Sequence, residues 1–169
     1  MSKRGLVIVD AWEQGYPHDL KDHPEMEMEI KTFGQYLNEV CKIERAKGTI
    51  IIHAVNDFTN RKGIMKEIEI KPEDILMKNE SRMRYMEDLR WAEIVENFTE
   101  LYWSGFHFGR CVHDQAIAIC GNKANIVMNL SLIFPTDSWN EIIQEKPTFN
   151  YFMWSRIGFE KIELPDYTD

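Results

Sequence analysis

The feature that most limits the fold is a series of short apolar runs, each closed by a polar residue or a glycine. Gly5–Val9 is apolar throughout and stops at Asp10. Thr49–Val55 gives way to the polar stretch 56–63, Ile75–Met77 stops at Lys78, and Glu100–Trp103 leads to Gly105. Asn125–Leu130 is a further run of this kind. A strand with one wet face alternates apolar and polar residues. A strand apolar on both sides is covered on both sides, as in a parallel sheet between helices. The segments between the runs have helical periodicity. Across 25–46, Ile30, Phe33, Leu37, Val40 and Cys41 recur on one helical stripe, and Gly48 supplies the stop. Helices are also predicted over 83–97, with Tyr85, Leu89, Ala92 and Val95 inward, and over 110–121, ended by Gly121. Met65–Ile70 reads as a hairpin arm or an extended excursion. Ser138–Gln144 reads as a short helix capped by Ser138 or Asp137, and the tail, Phe149–Trp154 and Phe159–Leu164, as the home of the last strand. This alternation predicts an α/β fold of three layers, α/β/α, with a mostly parallel sheet and right-handed crossovers. With no internal repeat and no linker rich in Pro, Gly or Ser, residues 1–169 read as a single domain.

Composition narrows the partners. A net charge of −8, with no basic run longer than two residues, repels a phosphate backbone, so no nucleic-acid partner is expected. Three cysteines without paired spacing fit a reducing cytosol rather than a disulfide framework. The apolar runs are too short to cross a bilayer, and after Met-Ser-Lys-Arg the run Leu6–Val9 is too short for an export signal. A cytoplasmic protein without a membrane partner is therefore expected.

In open parallel sheets, ligands bind beyond the carboxyl ends of the strands. That draws attention to Asp10, Asn56, Asp57, Lys78, the segment Gly105–Cys111, and Asn129. Asp10, Lys78 and Cys111 form a coherent chemical set. A thiolate is the nucleophile, and its pKa falls beside a cation and at a helix N-terminus. A carboxylate can take the thiol proton and return it to a leaving group. The backbone N–H groups of Arg110 and Cys111 are candidates for holding an oxyanion. Trp12, Tyr16, Phe106 and Phe108 either wall a pocket for a flat substrate or pack against loops or a second subunit. Asn56, Asp57 and Arg110 either contact substrate or lie exposed. The plainer readings make Cys111 a small buried hydrophobe, Asp10 a loop cap and Lys78 a solvated lysine, with Lys66 and Lys71 as competitors. Cys41 and Cys120 read as core, and His107 or His113 as an alternative partner for Cys111. The sequence has no Gly-x-Gly-x-x-Gly, P-loop, Gly-x-Ser-x-Gly or Cys-x-x-Cys. No cofactor is expected. Neither is a catalytic metal, since His18 and His23 have no obvious third ligand.

The order of these residues resembles the isochorismatase-like cysteine hydrolases, a family that includes nicotinamidases and carbamoylsarcosine amidases. The resemblance rests on Leu6-Val7-Ile8-Val9-Asp10, on Ile75-Leu76-Met77-Lys78, and on Gly105 followed six residues later by Cys111-Val112. It runs along almost the whole chain. It implies a six-stranded parallel sheet of Rossmann-like topology, Asp10 as general base, Cys111 as nucleophile, Lys78 as the support of both, a small amide-like substrate and a homo-oligomer. The chain departs from the family at Trp12, Phe108, Asn79-Glu80 and Asn129, and at His53-Ala54-Val55-Asn56-Asp57, where nicotinamidases carry a metal motif. A second reading is thus a non-catalytic relative that binds a small ligand or a protein, with Tyr151, Phe152, Met153, Trp154 and Phe159 as an oligomer face.

Overall fold

A computed structural model of the protein describes residues 3–9, 11, 26–55, 64–78, 90–106, 111–120, 126–134 and 150–152. The expected helix Ser138–Gln144, the first part of the helix expected over 83–97, and the tail past residue 152 lie outside them.

The strands are β1 (Arg4–Val9), β2 (Ile50–Val55), β3 (Ile75–Lys78), β4 (Glu100–Phe106), β5 (Ile126–Phe134) and β6 (Asn150–Phe152). The helices are α1 (Met26–Ala46), α2 (Arg90–Asn97) and α3 (Cys111–Cys120). The strands pair in the order β3-β2-β1-β4-β5-β6, and every pairing is parallel. Strands apolar on both faces need cover on both, and the helices supply it. Leu6, Ile8, Ile51, Tyr102 and Phe106 pack with Phe33, Leu37, Val40 and Cys41 of α1. Val7, Val9, Ile52, Ala54, Leu101 and Trp103 pack with Trp91, Ile94 and Val95 of α2 and with Val112, Ala116 and Ile119 of α3. Full burial of one such aliphatic or aromatic side chain contributes roughly 1.5–3 kcal/mol.

The termini of α1 follow from its sequence. Gly48 takes φ +85°, its N–H bonds the Arg45 carbonyl at 2.9 Å, and the Thr49 N–H bonds the Glu44 carbonyl at 2.9 Å. This is a Schellman closure, which needs a residue at ease with positive φ. Inside the same helix stands Gly34, where glycine costs about 1 kcal/mol relative to alanine. A Cβ there would lie 2.7 Å from the Met65 Cε and 3.2 Å from the Glu67 Cβ, so the glycine marks a close crossing.

Two strands outrun their expected ends. β4 continues to Phe106 rather than ending at Trp103, because Gly105 does not break it. With φ +102°, Gly105 stays paired with Val9 while the register against β5 shifts between Trp103 and Gly105. β5 then resumes pairing at Ile133 and Phe134, past the expected end at Leu130. The segment 64–74 is neither hairpin nor helix. It is an irregular strap with two turns, closed by the Ile68 N–H on the Met65 carbonyl and the Asp74 N–H on the Lys71 carbonyl, and its Ile64, Met65 and Ile68 are buried in the α1 layer.

Candidate active site

The site is set by where the chain reverses direction across the sheet. From β1 the chain moves through α1 to β2. From β4 it moves through α3 to β5, on the other side of β1 and with its helix on the other face. The carboxyl ends of β1 and β4 are thus the topological switch point, where crossovers diverge and leave a crevice.

Register aligns the strand ends. Val9 pairs with Ala54 and with Gly105, and Ala54 pairs with Met77, so these four share one row. One step further, Lys78 ends β3 and pairs with Val55, and Phe106 ends β4. Lys78 therefore stands at the same rim as the end of β1, two strands away, or about 10 Å at the usual strand spacing. Cys111 is the first residue of α3, which starts from that rim after β4. Its helical position gives it the dipole and free N–H groups of an N-terminus. Asp10 follows Val9 directly. Asp10, Trp12, Asn56, Phe108 and Arg110 lie outside the described residues.

Both neighbours of Asp10 are fixed. Val9 packs so closely on Gly105 that a Cβ at Gly105 would lie 2.3 Å from the Val9 carbonyl oxygen. Ala11 is 2% exposed, and its carbonyl accepts the Met65 N–H at 2.9 Å. On the β4 side, the Ser104 Oγ donates to the Val7 carbonyl at 2.7 Å.

One expected pocket wall is corrected. Phe106 is fully buried, and its ring meets Phe33 edge-on at 5.3 Å and 83°. Strand alternation turns it into the α1 layer together with Tyr102, so it is a core residue. Cys41 is core as expected. It is fully buried, and burial pushes its thiol up to about 12.

The sequence reading missed a buried polar cluster on the α1 face. Asp74, just before β3, accepts hydrogen bonds from the Arg45 Nε and Nη2 at 3.1 and 2.6 Å and from the Lys71 N–H at 3.0 Å. His53 of β2 lies with Nε2 3.0 Å from the same carboxylate. Burial acts to raise the Asp74 carboxyl, but the bonds from His53, Arg45 and Lys71 outweigh it and hold it at about 2. An ionised carboxylate only accepts, so Nε2 of His53 carries the donated proton. The one signal in sequence was a histidine inside an otherwise apolar run.

Set against solved structures, the chain superposes on N-carbamoylsarcosine amidase from Thermoplasma acidophilum with a TM-score of 0.66 at 16% identity, covering 92% of this chain and 99% of that one. The fold is that of the isochorismatase-like hydrolases. An isochorismatase-like hydrolase from Alkaliphilus metalliredigens gives a TM-score of 0.63 at 13% identity, covering 90% and 93% of the two chains. The pyrazinamidase of Pyrococcus horikoshii, solved in complex with zinc, gives 0.64 at 13% identity over 90% and 99%. No protein-family model and no curated protein sequence matches the chain.

Among the described residues no group of three or more His, Cys, Asp or Glu side chains is placed to hold a metal ion. Among the described residues His53 lies close to Asp74, and that carboxylate is already paired with the Arg45 guanidinium. No described helix is long and apolar enough to cross a membrane.

Proposed function

We propose that the chain is a cysteine hydrolase of small amides, imides or related carbon–nitrogen compounds, with Cys111 as nucleophile, Asp10 as proton shuttle and Lys78 as the cation that supports both. One observation carries the reading. Lys78 ends β3 and Cys111 opens α3 at the rim where β1 ends at Val9, the residue before Asp10 in the sequence. The isochorismatase-like fold and the amidase and pyrazinamidase among its structural neighbours support the substrate class.

Asp10 takes the Cys111 proton, and the thiolate attacks the substrate carbonyl carbon. The N–H groups of Arg110 and Cys111 hold the oxyanion that forms. The carbon–nitrogen bond breaks as Asp10 hands its proton to the leaving nitrogen, which leaves a thioester on Cys111. Water, deprotonated by Asp10, attacks the thioester. The acid leaves and the thiol is restored. Lys78 lowers the thiol pKa and keeps Asp10 ionised between turnovers. Trp12, Asn56 and Phe108 would shape the substrate pocket, on a small molecule free in the cytoplasm.

The test is site-resolved alkylation of Cys111, followed by mass spectrometry across pH, in the wild type, Asp10→Asn and Lys78→Ala. The proposal expects a thiolate forming well below the usual value of roughly 8.5, with both substitutions moving the profile. Cys41 is an internal reference, buried and inert in the native state. A Cys111 that reacts like an ordinary thiol and ignores both partners would favour instead a non-catalytic member of this fold that binds a ligand or a protein.

A further inference from the structure

The connection from β2 to β3 offers a second control over the proposed site. Strap residues 64–74 run from the rim, where the Met65 N–H bonds the Ala11 carbonyl at 2.9 Å, to the buried Asp74 just before β3. Between these ends it is held at several points. Ile64, Met65 and Ile68 are buried against α1, the Glu69 N–H bonds Asn38 Oδ1 at 2.9 Å, and the Arg45 Nη2 bonds the Glu69 carbonyl at 3.0 Å. Asp74 is anchored by Arg45, His53 and the Lys71 N–H. Gly34 leaves the room in α1 in which the Met65 side chain lies.

We propose that this strap is a positioning element for the base at the end of β1, with Met65, through its backbone N–H, and Gly34, through the space it leaves, as its positioning residues. The inference rests on Asp10 serving as the base. Asp10 sits between two residues: the sheet and Gly105 fix Val9, and the strap fixes Ala11. Proton transfer requires the carboxylate at hydrogen-bond range from its partner, so a shift at Ala11 is passed to the acid one residue away. Neither Met65 nor Gly34 touches substrate. Both act through Asp10.

The test uses Cys111 alkylation across pH in the full chain. Gly34→Val crowds the Met65 side chain and the Glu67 Cβ from the helix side, and Met65→Pro deletes the N–H itself, so either variant serves if the other fails to fold. Each is expected to move the profile in the direction of Asp10→Asn and to change the rate at neutral pH by up to about a hundredfold, the scale of a misplacement of about 1 Å. Adding Asp10→Asn to either is expected to bring no further change, because the strap acts through that residue. Val95→Ala, a core truncation on the opposite face, is expected to lower stability and leave the profile in place. Strap variants that match the wild type while Asp10→Asn shifts the profile would overturn the strap role and leave the base reading standing, as would a Val95→Ala profile displaced as far as theirs. An Asp10→Asn profile identical to the wild type would overturn the base reading, and the strap role with it.

Discussion

The two faces of the sheet are built differently. The face under α2 and α3 is a dry stack in which Val7, Val9, Ile52, Ala54 and Met77 meet Trp91, Ile94 and Val95, with Trp91 stacked on Trp103 at 6.3 Å between ring centroids. The face under α1 also has an apolar core, but it carries buried ions: Glu44 takes the Thr49 hydroxyl at 2.8 Å, and Asp74 takes Arg45 and His53. The lesson lies in what each face depends on. Dispersion and area burial hold the first, and these are indifferent to pH. The second adds partners that desolvation makes costly to leave alone, so it responds to charge.

The largest expected effect breaks the comparison from the dry side. Trp91→Ala empties the stack on Trp103 and should cost about 4 kcal/mol in urea unfolding. That cost should be the same at pH 7 and at pH 4, and a strong pH dependence would mean that the dry face holds charge after all. Next comes Asp74→Asn, which leaves Arg45 and His53 facing a neutral amide and should cost about 3 kcal/mol at pH 7. The Asp74 carboxyl is depressed on folding to about 2 from an ordinary value of 3.8. Its ionisation therefore contributes roughly 2 kcal/mol above the unfolded value, and that contribution is lost as pH falls through the folded one. The difference between the wild type and Asp74→Asn should shrink between pH 4 and pH 2, and a constant gap would contradict the assignment. Gly105→Ala, at the rim where the faces meet, should cost roughly 2 kcal/mol through backbone strain and the approach to Val9. Gly48→Ala, also at positive φ but with nothing within 4 Å of its Cβ, should cost less when measured by the same unfolding. The smallest effect belongs to Ser104→Ala, which removes one buried hydrogen bond to the Val7 carbonyl and should cost about 1 kcal/mol at any pH.

How much was legible in the sequence follows the same division. Runs apolar on both faces announced β1, β2 and β3, and the stripe Phe33, Leu37, Val40 and Cys41 announced α1, because burial leaves a period that one chain displays. The rim followed from the ends of those runs, so Lys78 and Cys111 stand at strand and helix termini as expected. The rest depended on pairs distant in sequence. Gly105 read as a break, since the pairing with Val9 that keeps it in the strand comes from a partner distant in sequence. Phe106 read as a pocket wall, since only the α1 layer reveals the ring it packs on. Asp74 gave no local sign, because its partners come from α1 and β2. Gly34 is the instructive case. A glycine in the middle of an amphipathic helix is visible in the sequence, but the Met65 it accommodates is known only from the fold.

As the proposed nucleophile, Cys111 would form an acyl adduct. The most direct test is intact-mass spectrometry of the protein quenched with acid during incubation with a panel of small amides and imides, followed by peptide mapping. A mass increment equal to the acyl portion of one or more panel members is expected, carried by the Cys111 peptide and absent in Cys111→Ser. Product formation in Cys111→Ser at the wild-type rate, or turnover that proceeds with the acyl group on another residue, would contradict that role.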